Sequence, residues 1–180
     1  MSLLISPPKH IPLWLKIGLS ITKRVTGKDL LPPRLLAWYP KAAFSSGIME
    51  AMVAHQGGAL SARLLKLVRM QASFSAACPF CIDMNSHKFS QFQITQDELA
   101  AIQGLTAVGS VETFSEREKI ALAYAHTISS TPLKFSPDLM QRVKEHFNER
   151  EIVILANTAA QINYWARLIQ ALGVPPAGFM

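Results

Sequence analysis

The chain contains little charge, few aromatic residues and only two cysteines. Of its 180 residues, 17% are charged and 8% aromatic, whereas 49% are hydrophobic. Two cysteines cannot build the disulfide framework of a small secreted protein, and a chain of this length buries a core without one. Such an apolar composition is typical of proteins that cover part of their surface in a subunit interface. We therefore expect one domain that forms a homo-oligomer.

A long hydrophobic run is also absent. The N-terminal apolar stretch at 13–21 follows Pro12, is interrupted by Lys16 and is too short to span a bilayer. It also lacks the small-residue cleavage site of a signal peptide. We expect a cytoplasmic protein with no membrane partner.

Acidic residues are nearly missing from the first part of the chain. Residues 1–41 hold one acid, Asp29, against seven bases, whereas the remaining 139 residues hold eleven of each, so the net charge of +6 is N-terminal. Segments of this kind bind nucleic acids or anionic membranes in some proteins. Because no recognised nucleic-acid motif accompanies the excess, we interpret it as the solvated basic face of an N-terminal helix and expect no nucleic-acid partner. The bases are Lys9, Lys16, Lys23, Arg24, Lys28, Arg34 and Lys41.

Signals for β-strands are scarce, and helix signals take their place. Four helix starts carry a capping side chain followed by an acidic residue or a proline. These starts are Thr95 with Glu98, Ser115 with Glu118, Ser136 with Pro137, and Asn148 with Glu151. The last helix is expected to reach Leu172 and to end at Gly173. The pattern predicts an all-α, single-domain bundle of about eight helices, with a basic arm and first helix over 1–24 and a helical domain over 25–180.

The two cysteines lie three positions apart, in the run Cys78-Pro79-Phe80-Cys81. Pro79 suits the first position of a helix, and Asp83 suits the first turn, where negative charge is favoured. A thiol at the start of a helix has a lowered pKa and is a better nucleophile. The spacing therefore predicts a redox-active pair at a helix N-terminus.

Helical spacing selects the neighbours of Cys81. Residues three, four and seven positions further on share its face, which gives Met84, Asn85 and Lys88. His87 lies six positions on and points to another side of a regular helix, which makes it a weak candidate for a general base. A zinc site needs four ligands, commonly in two pairs, and the five histidines are scattered. We expect neither a metal nor another cofactor.

Several segments together resemble the alkylhydroperoxidase D-like, or carboxymuconolactone decarboxylase, superfamily. They are the stretch 60–87 around the cysteines, the motif Phe-Ser-Glu-Arg-Glu at 114–118, and Asn-Tyr-Trp-Ala-Arg at 163–167, which precedes Ala-Leu-Gly-Val-Pro at 171–175. The likeness extends over roughly residues 25–176 and favours the peroxidase-related branch. It implies an all-helical antioxidant protein that assembles as a trimer or hexamer.

The resemblance also implies a thiol peroxidase cycle. One cysteine attacks a hydroperoxide and becomes a sulfenic acid, its partner closes a disulfide, and an external dithiol or thioredoxin-like reductant restores both thiols. By the family pattern Cys81 attacks and Cys78 resolves. Thioredoxin-like chemistry, in which the first and more exposed cysteine attacks, gives the opposite assignment.

This chain departs from the family at the proton relay. The family has a glutamate twelve residues before the first cysteine and a histidine four residues after the second, and these positions hold Lys66 and Asn85. An asparagine amide carries no proton at neutral pH. A charged lysine cannot act as a carboxylate base, although a nearby lysine stabilises a thiolate. We expect a slow peroxidase.

Two alternatives stay open at this stage. The other branch of the superfamily implies a lactone decarboxylase-like enzyme, a branch that does not require the cysteine pair. A non-catalytic redox-sensing or structural oligomer would retain the pair without turnover, and the altered relay positions favour that alternative.

Overall fold

The computed structural model of the chain describes residues 3–53 and 60–179. Within those ranges it contains nine α-helices and no β-strand, which confirms the all-α prediction with one helix more than expected. The helices are α1 (Leu13–Thr26), α2 (Leu31–Leu35), α3 (Pro40–Val53), α4 (Ala62–Ser75), α5 (Pro79–Ser86), α6 (Gln96–Ile102), α7 (Glu116–Ser129), α8 (Pro137–His146) and α9 (Glu149–Ala171). Short 3₁₀ turns lie at Leu36–Trp38, Phe89–Phe92 and Val108–Ser110.

The helix starts predicted from capping residues are confirmed. Reciprocal capping boxes form at the starts of α6, α7 and α9, and the Ser136 side chain caps α8. At the far end of α9, Gly173 has φ +66°, a left-handed conformation that a glycine adopts without strain. Local sequence therefore determines where these helices begin and where α9 ends.

Helix α4 lies at the centre of the bundle and packs against α5, α7 and α9. Its residues Leu67, Val68, Met70 and Ala72 are completely buried, on several sides of the helix. The side with Val68 and Ala72 packs in the main core with α7, α8 and α9, whereas Leu67 and Met70 pack with α6 and α7. Because α4 is enclosed in this way, it forms a rigid support for α5, which carries the cysteines.

One arginine on α4 connects three helices. The Arg63 guanidinium forms salt bridges of 2.6 Å to Glu98 on α6 and 2.7 Å to Glu118 on α7. Burial alone would raise the pKa of the fully buried Glu98, but hydrogen bonds from Arg63 and from the Thr95 backbone outweigh burial and hold that pKa below its ordinary value. Glu98 is therefore charged and paired in the folded protein.

The N-terminal part lies along the outside of the bundle. The backbone N–H of Leu4 donates to the Leu172 carbonyl oxygen at 3.0 Å, and the Trp38 indole N–H donates to the Ser6 carbonyl oxygen at 2.8 Å. Helix α1 packs against α3, and Leu15 is its one buried residue. In the portion of the chain that is described, none of the helices combines the length and apolar character needed to cross a membrane.

Candidate redox site at the start of α5

The two cysteines form a disulfide at the N-terminus of α5. Their Cα atoms are 5.2 Å apart, Cys78 is the N-cap residue and Pro79 occupies the first helical position. The backbone N–H of Cys81 donates to the Cys78 sulfur at 3.2 Å. The predicted helix start is therefore confirmed, and the Cys78 sulfur lies where a helix favours negative charge.

The disulfide is buried. Cys78 is 0% exposed and Cys81 is 3% exposed. Both pack in an apolar cluster with residues of α2, α5 and α9 and of the chain before α2, after α4 and after α9, namely Leu30, Leu35, Ala76, Phe80, Ala166, Ile169 and Val174. A reductant or an oxidant that reacts with these sulfurs must reach them through a local opening of this cover.

The segment after α9 is held against α5 by polar contacts. The backbone N–H of Phe179 donates to the Asp83 carboxylate at 2.8 Å, and the Lys28 ammonium donates to the Ala177 carbonyl oxygen at 2.8 Å. The same ammonium lies 4.4 Å from the centre of the Phe179 ring, which in turn lies 5.3 Å from the ring centre of His87. We name residues 173–179 the covering segment.

Lys66, at the position where the resemblance implies a glutamate, lies on α4 and reaches the chain that follows α5. Its side-chain nitrogen donates to the His87 carbonyl oxygen at 2.9 Å and lies 5.2 Å from the centre of the Phe92 ring. Burial, reinforced by the charge of Arg69, lowers the pKa of Lys66 to about 8. Among the described residues no hydrogen bond joins Lys66 to either cysteine.

The end of α5 differs from the regular helix assumed from the sequence. The helix ends at Ser86, His87 adopts an extended conformation with ψ 130°, and Lys88 is left-handed with φ +53°. The His87 carbonyl bonds the Lys66 ammonium instead of a helical N–H. The expectation that Lys88 shares the helical face of Cys81 is therefore wrong, and His87 contacts the covering segment through its ring.

Asn85, at the position of the family's histidine, connects α5 to α4. Its side-chain amide donates to the Ser73 hydroxyl at 3.0 Å, and that hydroxyl donates to the Arg69 carbonyl oxygen at 2.7 Å. Ser73 is completely buried. In this structure Asn85 thus takes part in a hydrogen-bonded connection between the two helices.

A carboxylate that sequence reasoning missed lies near the cysteine cluster. Glu50 on α3 accepts hydrogen bonds from Gln161 at 2.8 Å and from the Trp165 indole at 3.1 Å. Trp165 packs against the cluster that contains both cysteines. Burial lowers the pKa of Arg69, and the charge of Glu50 opposes that change, which indicates that the two charges are close.

Nothing around Glu50 in the sequence marks it as a site residue. Gln161 and Trp165 are four residues apart and therefore lie on one face of α9. This spacing is the one feature of the sequence that indicates that the two side chains can bind the same partner. Groups of three or more histidine, cysteine, aspartate or glutamate residues that could hold a metal ion do not occur in the part of the chain that the structure describes.

Two uncharacterised bacterial proteins are similar to this chain in sequence. Protein YdfG of Bacillus subtilis (strain 168) is 32% identical over 109 residues, which cover 60% of this chain and 72% of YdfG. Protein YnjA of Escherichia coli (strain K12) is 26% identical over 172 residues, which cover 96% of this chain and 93% of YnjA. No family model matches the chain.

Solved structures share the fold. The debrominase Bmp8 superposes with a TM-score of 0.82 at 17% identity, over 99% of this chain and 95% of Bmp8. An uncharacterised peroxidase-related protein of Ralstonia eutropha JMP134, described as an alkylhydroperoxidase AhpD core, superposes with a TM-score of 0.78 at 13% identity, over 97% of this chain and 92% of that one. These similarities agree with the all-helical fold predicted from the sequence.

Proposed function

We propose that this chain, which resembles the alkylhydroperoxidase D-like superfamily in sequence and shares the fold of a peroxidase-related AhpD core, is a thiol-dependent oxidoreductase that reduces hydroperoxides through Cys78 and Cys81. The observation that carries the proposal is the bond between the chain's two cysteines at the N-terminus of α5. A helix N-terminus stabilises negative charge, so this position favours a thiolate in the reduced protein. The peroxidase-related protein of Ralstonia eutropha, which shares the fold, supports an antioxidant role.

The proposed cycle uses two thiols for each hydroperoxide. A thiolate attacks the terminal oxygen of the hydroperoxide, the O–O bond breaks, and the departing alkoxide takes up a proton and leaves as an alcohol. The sulfenic acid formed on the enzyme is attacked by the second thiol, which closes the disulfide and releases water. An external dithiol then reduces the disulfide by exchange and is itself oxidised.

Cys81 is the attacking thiol in this proposal, and Cys78 resolves. Cys81 has the slightly greater exposure of the two. During reduction, an external thiol that attacks the Cys81 sulfur releases Cys78 as the leaving thiolate, and the Cys81 N–H would stabilise the negative charge there. Attack by Cys78 is the competing assignment, and its position at the N-cap supports it.

The altered relay predicts a slow reaction. General acid–base help is typically worth ~10²–10⁴-fold in rate, and the family's relay positions hold Lys66 and Asn85, whose side chains bond His87 and Ser73. Glu50 is the carboxylate we propose as a proton acceptor. It bonds Trp165, and Trp165 packs on the cysteine cluster.

The proposed partners follow from this chemistry. A dithiol or thioredoxin-like protein supplies electrons, and a reducing compartment such as the cytoplasm suits such a cycle.

We propose self-association as a trimer or hexamer, for which the outer face of α9 offers the exposed Val153 and Tyr164. Analytical ultracentrifugation tests this, and a monomeric mass at micromolar concentration would contradict it.

The roles of the cysteines are tested with Cys78→Ser and Cys81→Ser. Each reduced variant is treated with an alkyl hydroperoxide and a sulfenic-acid trap, and the adduct is located by mass spectrometry. We expect trapping at Cys81 in Cys78→Ser and little adduct in Cys81→Ser. Trapping only at Cys78, in Cys81→Ser, would reverse the roles. The absence of an adduct in both variants, together with the absence of a peroxide-dependent disulfide in wild type, would favour a non-catalytic protein.

A further inference from the structure

Helix α1 exposes a continuous apolar face. Leu13, Ile17, Ile21 and Val25 recur every four residues along it and are between 57% and 79% exposed, and the half-exposed Trp14 lies beside them. Residues at this spacing lie on one side of a helix. Five large apolar side chains in one exposed row form a patch that soluble monomers rarely carry. We name these five residues the α1 face.

Most of this face lies away from the side that joins α1 to the rest of the protein; only at its edge does the Trp14 ring meet the Phe44 ring of α3, with ring centres 6.2 Å apart. Leu15 is buried, and Leu19, Thr22 and Thr26 are half-buried, so α1 contacts the bundle through a separate side. From the sequence we expected a solvated basic face on this helix. The structure shows that a second apolar side remains uncovered among the described residues.

The charges on α1 all have one sign. Lys16, Lys23 and Arg24 lie on α1 and are exposed, Lys9 precedes it, and the first acid of the chain, Asp29, comes three residues after the helix. The exposed Trp38 lies twelve residues after the end of α1, and its indole N–H donates to the Ser6 carbonyl oxygen in the segment that precedes α1. Apolar and tryptophan side chains beside an all-basic surface are characteristic of helices that lie in the interface of an anionic membrane.

We propose that α1 binds the surface of an anionic lipid bilayer, with the α1 face among the acyl chains and the bases at the headgroups. The helix has 14 residues, about 21 Å at 1.5 Å per residue, so it lies along the surface. Each basic side chain near anionic lipid strengthens such binding.

The charge pattern also favours a membrane over a second copy of this chain. A two-fold interface brings the same patch of both subunits together. Pairing two α1 faces in this way would bring the bases of one subunit, Lys16, Lys23 and Arg24, close to those of the other, and Asp29 is the one acid within residues 1–41 that could offset them. An anionic bilayer offers neutralising charge over the whole surface.

The test is co-flotation of the full chain with vesicles. Vesicles of phosphatidylcholine with a third phosphatidylglycerol are compared with vesicles of phosphatidylcholine alone. We expect the wild-type protein to float with the anionic vesicles, and the bound fraction to fall as salt is raised. Ile17→Ser/Ile21→Ser should abolish flotation. Leu105→Ser/Leu133→Ser removes two equally exposed leucines from loops elsewhere and should leave flotation unchanged.

A separate variant tests the contribution of the basic side chains to vesicle binding. Lys16→Gln/Lys23→Gln should weaken binding to the anionic vesicles by about fivefold for each lysine removed. Circular dichroism confirms that each variant is folded. Failure of the wild type to float with anionic vesicles, or equal flotation with neutral ones, would overturn the proposal. It would also be overturned if the α1 variants lowered the protein's mass in ultracentrifugation, which would assign the face to a second copy, or if the wild type bound RNA and not vesicles.

Discussion

Lys66 donates a hydrogen bond of 2.9 Å to the backbone carbonyl oxygen of His87. The contact places a buried cation at the position where the resemblance to the alkylhydroperoxidase D-like superfamily implies a glutamate, and it binds the first residue after α5. The nitrogen also lies over the Phe92 ring. Lys66 thus holds the end of the cysteine-bearing helix against α4, a structural task that a proton-relaying carboxylate would not perform.

The first prediction concerns the pH dependence of stability. The pKa of Lys66 falls from 10.5 to about 8 in the folded protein, with burial as the main cause. Between these values the unfolded chain binds the extra proton, so stability rises with pH from about 8 to 10.5. We expect the wild type to gain about 1–3 kcal/mol over this range relative to Lys66→Met, measured as the difference in unfolding free energy in urea. Parallel pH curves for the two proteins would contradict this.

Whether a contact can be predicted from the sequence depends on how far apart its two residues lie along the chain. The capping boxes at Thr95, Ser115 and Asn148 and the cap at Cys78 use neighbours three positions away, and all of them form as predicted. The contact between Lys66 and His87 joins residues 21 positions apart and depends on how α4 packs on α5. No local pattern encodes that packing.

The same limit applies to Glu50 and to α1. Glu50 meets Gln161 and Trp165 more than a hundred residues away, and nothing around it in the sequence indicates a site. Helix α1 has apolar residues on two sides, and periodicity cannot tell which side packs. In the structure the side with Leu15 packs against the bundle, whereas Ile17 on the other side is exposed.

The second prediction addresses Glu50 as the proton acceptor. Glu50→Gln keeps the size of the side chain and removes its ability to take up a proton, so the reaction of the reduced protein with hydroperoxide should slow about 10²-fold. The rate is followed as loss of free thiol after mixing. Glu112→Gln, at an exposed position, is the matched control and should react at the wild-type rate. Equal rates for both variants would exclude Glu50 from the proton transfer.

The third prediction concerns access to the buried sulfurs. Phe179→Ala removes the ring that packs between Lys28 and His87, which weakens the covering segment. A loss of 1–2 kcal/mol in that packing should raise the rate of disulfide reduction by dithiothreitol about five- to thirtyfold. Phe44→Ala, on the exposed side of α3, should not change the rate. An unchanged rate for Phe179→Ala would show that the sulfurs are reached by another route.

The fourth prediction tests the connection between α4, α6 and α7. Arg63→Met leaves the fully buried carboxylate of Glu98 without its cation, which should cost about 3–5 kcal/mol of unfolding free energy. Arg34→Met breaks the exposed pair with Asp29 and should cost less than about 1 kcal/mol. Chemical denaturation of both variants decides the comparison. Similar losses would mean that Glu98 does not depend on Arg63 for its charge.

The most direct test of the redox assignment is a stopped-flow measurement on the fully reduced protein. Mixed with an alkyl hydroperoxide at neutral pH, the wild type should lose both thiols and form the Cys78–Cys81 disulfide within minutes, with a rate proportional to peroxide concentration. One hydroperoxide should be consumed for each disulfide formed, and the protein with both cysteines replaced by serine should consume none. If no peroxide-dependent disulfide forms on that timescale, the cysteine pair is not a peroxidase site.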